Sequence, residues 1–191
     1  KTTVTYRVRS KKLWGSVLIP VFEQFNLRSM KYAAVIVVKE ALHMAKKRCA
    51  FSQTEKIQEL QQLINRKTDQ ISPIWNNGTD LKVILDLDWL AGFIEAEGSF
   101  YILNNAQHGF AIGQVYDRHI ISGIHCLFNV KSALKDRNNY LMLDTKNTQT
   151  LHLIAEAING RLLGIKSFEF SLWLRTLRKK KKPKTLKAKS I

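Results

Sequence analysis

The chain has 191 residues, with 31 lysines and arginines against 15 acids and a formal net charge of +16. That length holds one or two small domains with a real core, and so unbalanced a charge points to a polyanionic partner, nucleic acid. Cys49 and Cys126 stand far apart without CxxC or Cys/His spacing, which excludes a zinc module or disulfide framework and fits a reducing compartment, and no apolar run reaches membrane-spanning length.

In chain order, Val4, Tyr6 and Val8 alternate with polar positions and predict a strand over 3–9, so the basic, acid-poor start reads as folded structure rather than a transit peptide. Helical spacing predicts a helix over 11–25 and a longer one over 29–47 whose Val35, Ile36, Val38 and Leu42 face the core. Residues 53–66 form an amphipathic helix with Ile57, Leu60 and Ile64 on one side, and Pro73 and Asn76-Asn77-Gly78 then break the chain. A helix over 86–97 follows, then strands 99–104 and 108–115, helix 117–128, strands 130–136 and 139–145, and helices over 147–158 and 168–178. From there bases accumulate without an acid: Arg175, Arg178, Lys179, Lys180, Lys181, Lys182, Lys184, Lys187 and Lys189 make a tail expected to order only against phosphate. The five histidines form no metal or triad pattern, and Trp173 reads as a core anchor.

An internal repeat emerges at a register of about 135 residues, at which Leu18 falls on Leu153, Ile19 on Ile154, Leu27 on Leu162 and Lys31 on Lys166. Val35, Val38 and Leu42 fall on Phe170, Trp173 and Leu177, so both segments share one amphipathic spacing. Applied to Leu90, the register places a first copy of the 86–97 helix about 45 residues before Lys1.

That helix carries the chain's most informative word, Leu90-Ala91-Gly92-Phe93-Ile94-Glu95-Ala96-Glu97-Gly98. Asp86 and Asp88 can start it and Gly98 can stop it in a left-handed cap. It ends in two carboxylates facing the negative end of the helix dipole, a penalty of roughly 0.3–1 kcal/mol each that a bound cation would offset. Gly92 and Ala96, four apart, leave one face nearly bare for a second helix. The plainer alternative is a core helix with a glycine cap and an incidental surface acid.

The word resembles the motif of the LAGLIDADG homing endonucleases. Ser99-Phe100-Tyr101-Ile102 follows it as in that family, Phe110-Ala111-Ile112-Gly113-Gln114 with Asp117 resembles its second strand and next helix, and Gly164-Ile165-Lys166-Ser167-Phe168-Glu169-Phe170 with Trp173 its closing signature. Tyr6-Arg7-Val8-Arg9, Leu18-Ile19-Pro20-Val21-Phe22 and Lys31-Tyr32-Ala33 resemble the end of the first repeat in two-motif members.

The resemblance implies an α+β fold: one complete αββαββα repeat with an antiparallel saddle sheet, preceded by the C-terminal part of another repeat. The expected domains are a partial first repeat at 1–50, a linker helix and loop at 51–85, a complete second repeat at 86–178 and a basic tail at 179–191. In the family two acidic helices pack side by side, and each gives its last acid to a divalent-metal site. Glu97 inherits that role as catalytic metal ligand, while Glu95, about 200° away around the helix, does not. Gln114 resembles the solvent-organising glutamine, Lys166 the lysine supporting charge at the scissile phosphate, and Lys31 its first-repeat counterpart; phosphate or solvent contacts are the plainer readings. Arg7, Arg9 and the bases from Arg175 to Lys184 are candidate nucleic-acid contacts.

Function divides on the first acidic helix. One expectation is a Mg²⁺-dependent, site-specific DNA endonuclease completed by an upstream segment or a second polypeptide. The favoured expectation is a repurposed member that binds structured RNA, organellar ribosomal or intron RNA, without cleaving alone and without a cofactor, in a mitochondrion or other organelle, as a maturase or within a ribonucleoprotein. A general DNA-packaging protein is the third.

Overall fold

The computed structural model describes residues 5, 7–46, 53–65, 71–76, 78–138 and 140–179. The chain divides into two compact units, Lys1–Thr79 and Asp80–Ile191.

Among its described residues, the regular elements of the first unit are all helical. A continuous helical stretch runs through α1 (Lys11–Leu13), a π turn (Trp14–Leu18) and α2 (Ile19–Gln24). Ser10 caps its start, its hydroxyl accepting the Leu13 N–H at 3.2 Å. The π turn has a visible cause in Pro20. A proline has no N–H to give and its ring crowds the carbonyl four residues back, a conflict the wider turn relieves. Next come α3 (Lys31–Lys46) and α4 (Gln53–Asn65), with α3 packed against both α2 and α4. A 3₁₀ turn (Pro73–Trp75) closes the unit, and the Trp75 indole N–H donates to the Arg28 carbonyl at 2.9 Å.

Two expectations for this unit are corrected. Thr5 and residues 7–10 form no strand, because a strand exists only through ladder bonds to a neighbour and none forms there; Tyr6 and 1–4 lie outside the described residues. Val35, Ile36, Val38 and Leu42 are only half-buried, and Ala33 is the one buried residue of α3. One layer of helices cannot enclose a full apolar stripe.

The second unit opens with α5 (Leu81–Ile84), a short helix within the stretch expected to be loop, capped by Asp80, whose carboxylate accepts the Lys82 N–H at 3.0 Å. Next come α6 (Leu87–Glu97), β1 (Ser99–Ile102), β2 (His108–Gln114), α7 (Arg118–Leu127), β3 (Lys135–Arg137), β4 (Tyr140–Thr145), α8 (Thr148–Ile158) and α9 (Ile165–Lys179). The strands form one antiparallel sheet in the order β1-β2-β4-β3. This is the α+β αββαββα arrangement expected from the sequence.

Period-two alternation gives the sheet two faces. Phe100, Phe110, Ile112, Leu141 and Leu143 point to the helices, where they meet Leu90, Ile94, Ile120, Ile124, Leu151, Ile154, Phe170 and Trp173. An aromatic cluster ties α9 to the sheet: Phe100 lies 5.4 Å from Phe110 and 5.2 Å from both Phe170 and Trp173, centroid to centroid. Trp173 is 3 % exposed, and its indole N–H donates to the Tyr101 carbonyl at 3.2 Å, so it is the anchor the sequence suggests.

The strand expected over 130–136 shrinks to three residues. Over 130–134 side chains replace the ladder: a ring nitrogen of His125 bonds the Ser132 carbonyl at 2.9 Å, and the Ser132 hydroxyl donates to the Asp144 carbonyl at 3.1 Å. Conversely α9 starts earlier than its apolar stripe suggests. Among the described residues no helix is long and apolar enough to cross a membrane.

Candidate active site at the end of the acidic helix

The site is built on α6. Asp86 caps it, its carboxylate accepting the N–H groups of Asp88 at 3.2 Å and Trp89 at 3.0 Å. Leu90, Ala91 and Ile94 are buried where α6 packs on α8 and β2, and Asp88 pairs with Arg161 in the turn after α8. This packing leaves Gly92, Ala96 and Glu97 exposed on the other side, and among the described residues nothing lies within 4 Å of where a Gly92 Cβ would stand. The bare face expected from the small residues is present.

Gly98 does not adopt the left-handed cap expected of it. Its φ of −72° and ψ of 154° are extended, because the chain passes straight from α6 into β1. The residue is constrained by space instead: a Cβ would lie 2.8 Å from both the carbonyl oxygen and Cγ2 of Ile94.

The two acids of α6 have different fates. Glu97, its last residue, is exposed, and no hydrogen bond or ion pair engages its carboxylate among the described residues. Glu95 turns into the protein, where its Oε1 accepts the backbone N–H of Lys166 at 3.0 Å, in the first turn of α9. Lys166 reaches back, its Nζ donating to the Gly98 carbonyl at 2.6 Å. The structure therefore brings the Lys166 ammonium to the backbone carbonyl of the residue that follows Glu97. Gln114 ends β2; with Ser99 opposite Ala111, the antiparallel register carries Gln114 to the edge of the sheet where α6 runs into β1. Alternation puts its half-buried side chain on the helix-facing side. No cluster of three or more His, Cys, Asp or Glu that could hold a metal occurs among the described residues.

The other face of the sheet carries Ser99, Tyr101, Ala111, Lys135, Arg137, Tyr140, Met142 and Asp144 by register. Two glycines admit the aromatic rings laid across it: a Cβ on Gly109 would stand 2.2 Å from the Tyr101 ring, and one on Gly113 2.6 Å from the Tyr140 hydroxyl. The Tyr101 hydroxyl donates to Asp144 Oδ1, and Lys135 Nζ bonds Asp144 Oδ2 at 2.5 Å. Burial pushes the Asp144 carboxyl up, but the bonds from Lys135 and Tyr101 outweigh it and hold the group below its ordinary value. Burial, then the bond to Asp144 and its charge, push the Tyr101 phenol well up. This network went unread in the sequence, although the alternation places its members on one face.

The remaining candidate contacts are scattered. Arg7 and Arg9 are exposed on the irregular backbone before α1, and Lys31 is the exposed first residue of α3, all in the first unit. Arg175, Arg178 and Lys179 are exposed on α9. Arg178 lines a cleft of about 270 Å³ between α8 and α9 with His152, Glu156 and Asn159, on the helix side and not on the open sheet face. Lys180, Lys181, Lys182 and Lys184 lie outside the described residues. Helix pairs recur at the expected spacing: α3 begins at Lys31 and α9 at Ile165, one residue before Lys166, and Ile19 and Ile154 are both buried.

No protein-family model matches this sequence. The chain is similar to known structures and proteins, however. It superposes on I-SmaMI bound to an uncleaved DNA target in the presence of calcium ions with a TM-score of 0.74 at 16% identity, over 94% of this chain and 71% of that one. On the LAGLIDADG homing endonuclease I-GzeII in complex with its DNA target the TM-score is 0.70 at 18% identity, over 90% and 67%. The fold is thus that of the LAGLIDADG homing endonucleases. In sequence the chain is 32% identical over 190 residues to the probable intron-encoded endonuclease Cox1-I1b of Schizosaccharomyces pombe, covering 93% of this chain and 48% of that protein. It is 36% identical over 85 residues to the probable intron-encoded endonuclease aI3 of Dictyostelium citrinum, 44% of this chain and 35% of that protein. The chain spans about half the length of the first of these relatives and about a third of the second. With the 90–98 word ending α6 as it does, the chain has the fold of the LAGLIDADG homing endonucleases and is similar in sequence to intron-encoded endonucleases.

Proposed function

We propose that the protein carrying this chain cuts double-stranded DNA at a specific site, with α6 presenting Glu97 at the scissile phosphate and the open sheet face lying along the duplex. The observation that carries this reading is the exposed Glu97 carboxylate at the negative end of α6, with the Lys166 ammonium held at the carbonyl of the next residue, Gly98. A helix end is an unfavourable place for an acid unless a cation meets it. The donor chemistry fits Mg²⁺, a hard ion that takes one or two carboxylates and fills its other positions with water and phosphate oxygens. Glu97 would hold it, and the bound ion supplies charge stabilisation and a more acidic water. Lys166 sets a positive charge close to the phosphate, where such charge acts on the developing oxyanion. Gln114 offers an amide to order solvent at the same edge.

In this reading residues 1–50 close a first repeat, 51–85 link, and 86–178 form the second repeat. The recurrence of the helix pair supports it, as does the length of the relatives. A second acidic helix, from an upstream segment or another polypeptide, covers the Gly92 and Ala96 face. Organellar, mitochondrial residence belongs to the same proposal and draws on the intron-encoded relatives.

The lysine-rich 179–189 segment favours the second reading, a member that keeps the basic surface and binds structured RNA without cutting. The deciding experiment incubates the full polypeptide with Mg²⁺ and DNA spanning the intron-insertion site. Cleavage is expected, and Glu97→Gln should slow it by roughly 10² or more, since a metal's charge stabilisation is worth several kcal/mol. Cleavage indifferent to that substitution sinks the assignment of Glu97. An absence of cleavage with tight, salt-sensitive RNA binding establishes the second reading.

A further inference from the structure

Glu95 is an acid on the wrong end of its helix that binds no exposed partner. Its Oε1 accepts the Lys166 N–H at 3.0 Å, among the first-turn amides of α9 that lack intrahelical acceptors. Its Oε2 is buried and meets no hydrogen-bond donor among the described residues. The chain leaves room for this carboxylate, because a Cβ on Gly164 would stand 2.5 Å from Oε1 and 2.9 Å from Cδ. Lys166 also bonds α6 from the other side, through Nζ to the Gly98 carbonyl at 2.6 Å. One residue of α9 thus grips α6 at two points, and Glu97 lies between them in sequence.

We infer that Glu95 is a positioning residue: the bracket from Glu95 through Lys166 to Gly98 sets the aim of the Glu97 carboxylate. This rests on the reading of Glu97 as the cation-binding acid. Glu95 touches neither cation nor phosphate. It ties the end of α6 to the start of α9, so that Glu97 and the Lys166 ammonium keep a fixed relation. Gly164 is part of the same device, since only a residue without a side chain lets the carboxylate reach the amide.

The test uses the full polypeptide with Glu95→Ala, Glu95→Gln, Gly164→Ala and Glu97→Gln, reading amide exchange at Lys166, Mn²⁺ affinity, single-turnover cleavage and DNA affinity. Glu95→Ala is expected to speed exchange at Lys166, and to slow cleavage and weaken Mn²⁺ binding about 10- to 100-fold, the range typical of residues that orient a metal ligand, with DNA affinity held within about threefold. Glu95→Gln keeps an oxygen for the Lys166 N–H and should retain cleavage within about fivefold, whereas Glu97→Gln should not. Gly164→Ala should move every readout in the Glu95→Ala direction. The inference is overturned if Glu95→Gln is as inactive as Glu97→Gln, which makes Glu95 a ligand, or if Glu95→Ala leaves exchange, Mn²⁺ affinity and cleavage as in the native protein. If the native polypeptide cuts no DNA, the proposed function fails by itself, and unchanged exchange and Mn²⁺ affinity in Glu95→Ala overturn the bracket.

Discussion

Replacing Trp173 by alanine should destabilise the second unit more than any change at the candidate active site. The indole is 3 % exposed and lies 5.2 Å from Phe100, 5.8 Å from His108 and 6.0 Å from Phe170 between ring centroids. Truncation leaves a cavity that the sheet on one side and α9 on the other cannot easily fill, which costs about 3–5 kcal/mol for a buried aromatic. β1 is an edge strand, so the Tyr101 carbonyl that accepts the indole N–H also loses a partner, and this places the loss toward the upper end. Against a total stability of roughly 5–15 kcal/mol, such a loss removes a third or more. The assay is equilibrium urea denaturation followed by far-ultraviolet circular dichroism, with Trp173→Phe beside Trp173→Ala. The phenylalanine keeps much of the ring packing and drops the hydrogen bond, so about 1–2 kcal/mol is expected for it. The reasoning is refuted if both variants lose less than about 1 kcal/mol, or if phenylalanine costs as much as alanine.

The Tyr101–Asp144–Lys135 network predicts stability limits at both ends of the pH scale. Asp144 is held below its ordinary 3.8, so its contribution is complete above that value and is lost as pH falls through the lower folded one; Tyr101 is raised above 10.0, so its contribution is complete below 10 and is lost as pH climbs toward the folded value. Unfolding free energy against pH should lose its acid limb in Asp144→Asn and its alkaline limb in Tyr101→Phe; curves parallel to native would defeat the prediction. Gly113→Ala should cost about 1–3 kcal/mol by urea denaturation, because the new methyl meets the Tyr140 hydroxyl at 2.6 Å and the Leu141 carbonyl at 2.9 Å, and Tyr140→Ala should recover only part of it since the carbonyl stays. Removing residues 180–191 should shallow the salt dependence of nucleic-acid binding, each lost phosphate contact lowering the slope of log K against log salt by about 0.9; an unchanged slope would mean the tail touches no phosphate.

What the sequence made legible is what repeats or caps. Asp86 announces α6 and stops short of nothing it should include, and the apolar stripe Phe170, Trp173, Leu174 and Leu177 announces α9. The start of α9 was hidden because Ile165 and Phe168 are exposed, so the amphipathic pattern begins a turn late, while the first-turn bond to Glu95 is long-range and has no local signature. The strand expected over 3–9 is missing at its described residues, Thr5 and 7–9, for the opposite reason, since alternation is a local property and pairing is not. Position at the helix end made Glu95 and Glu97 legible together, and the family resemblance singled out Glu97. The roles of Glu95, Gly98 and Gly164 were not legible, because each depends on which atoms from a distant or preceding turn stand beside it.

The two acids at the end of α6 show how the structure refines an argument from the helix dipole. Both face the negative end of α6, and on that ground both call for compensation. Glu95 receives it from the protein: the amino end of α9 points a free N–H at its carboxylate, and the positive end of one helix offsets the negative end of the other. Glu97 receives no such partner among the described residues; the nearby Lys166 ammonium is spent on the Gly98 carbonyl. The same electrostatic penalty therefore has a structural answer at one position and none at the other. That asymmetry, rather than the bare presence of two acids, is what supports the proposed division between Glu95 as the positioning residue and Glu97 as the acid that meets a cation.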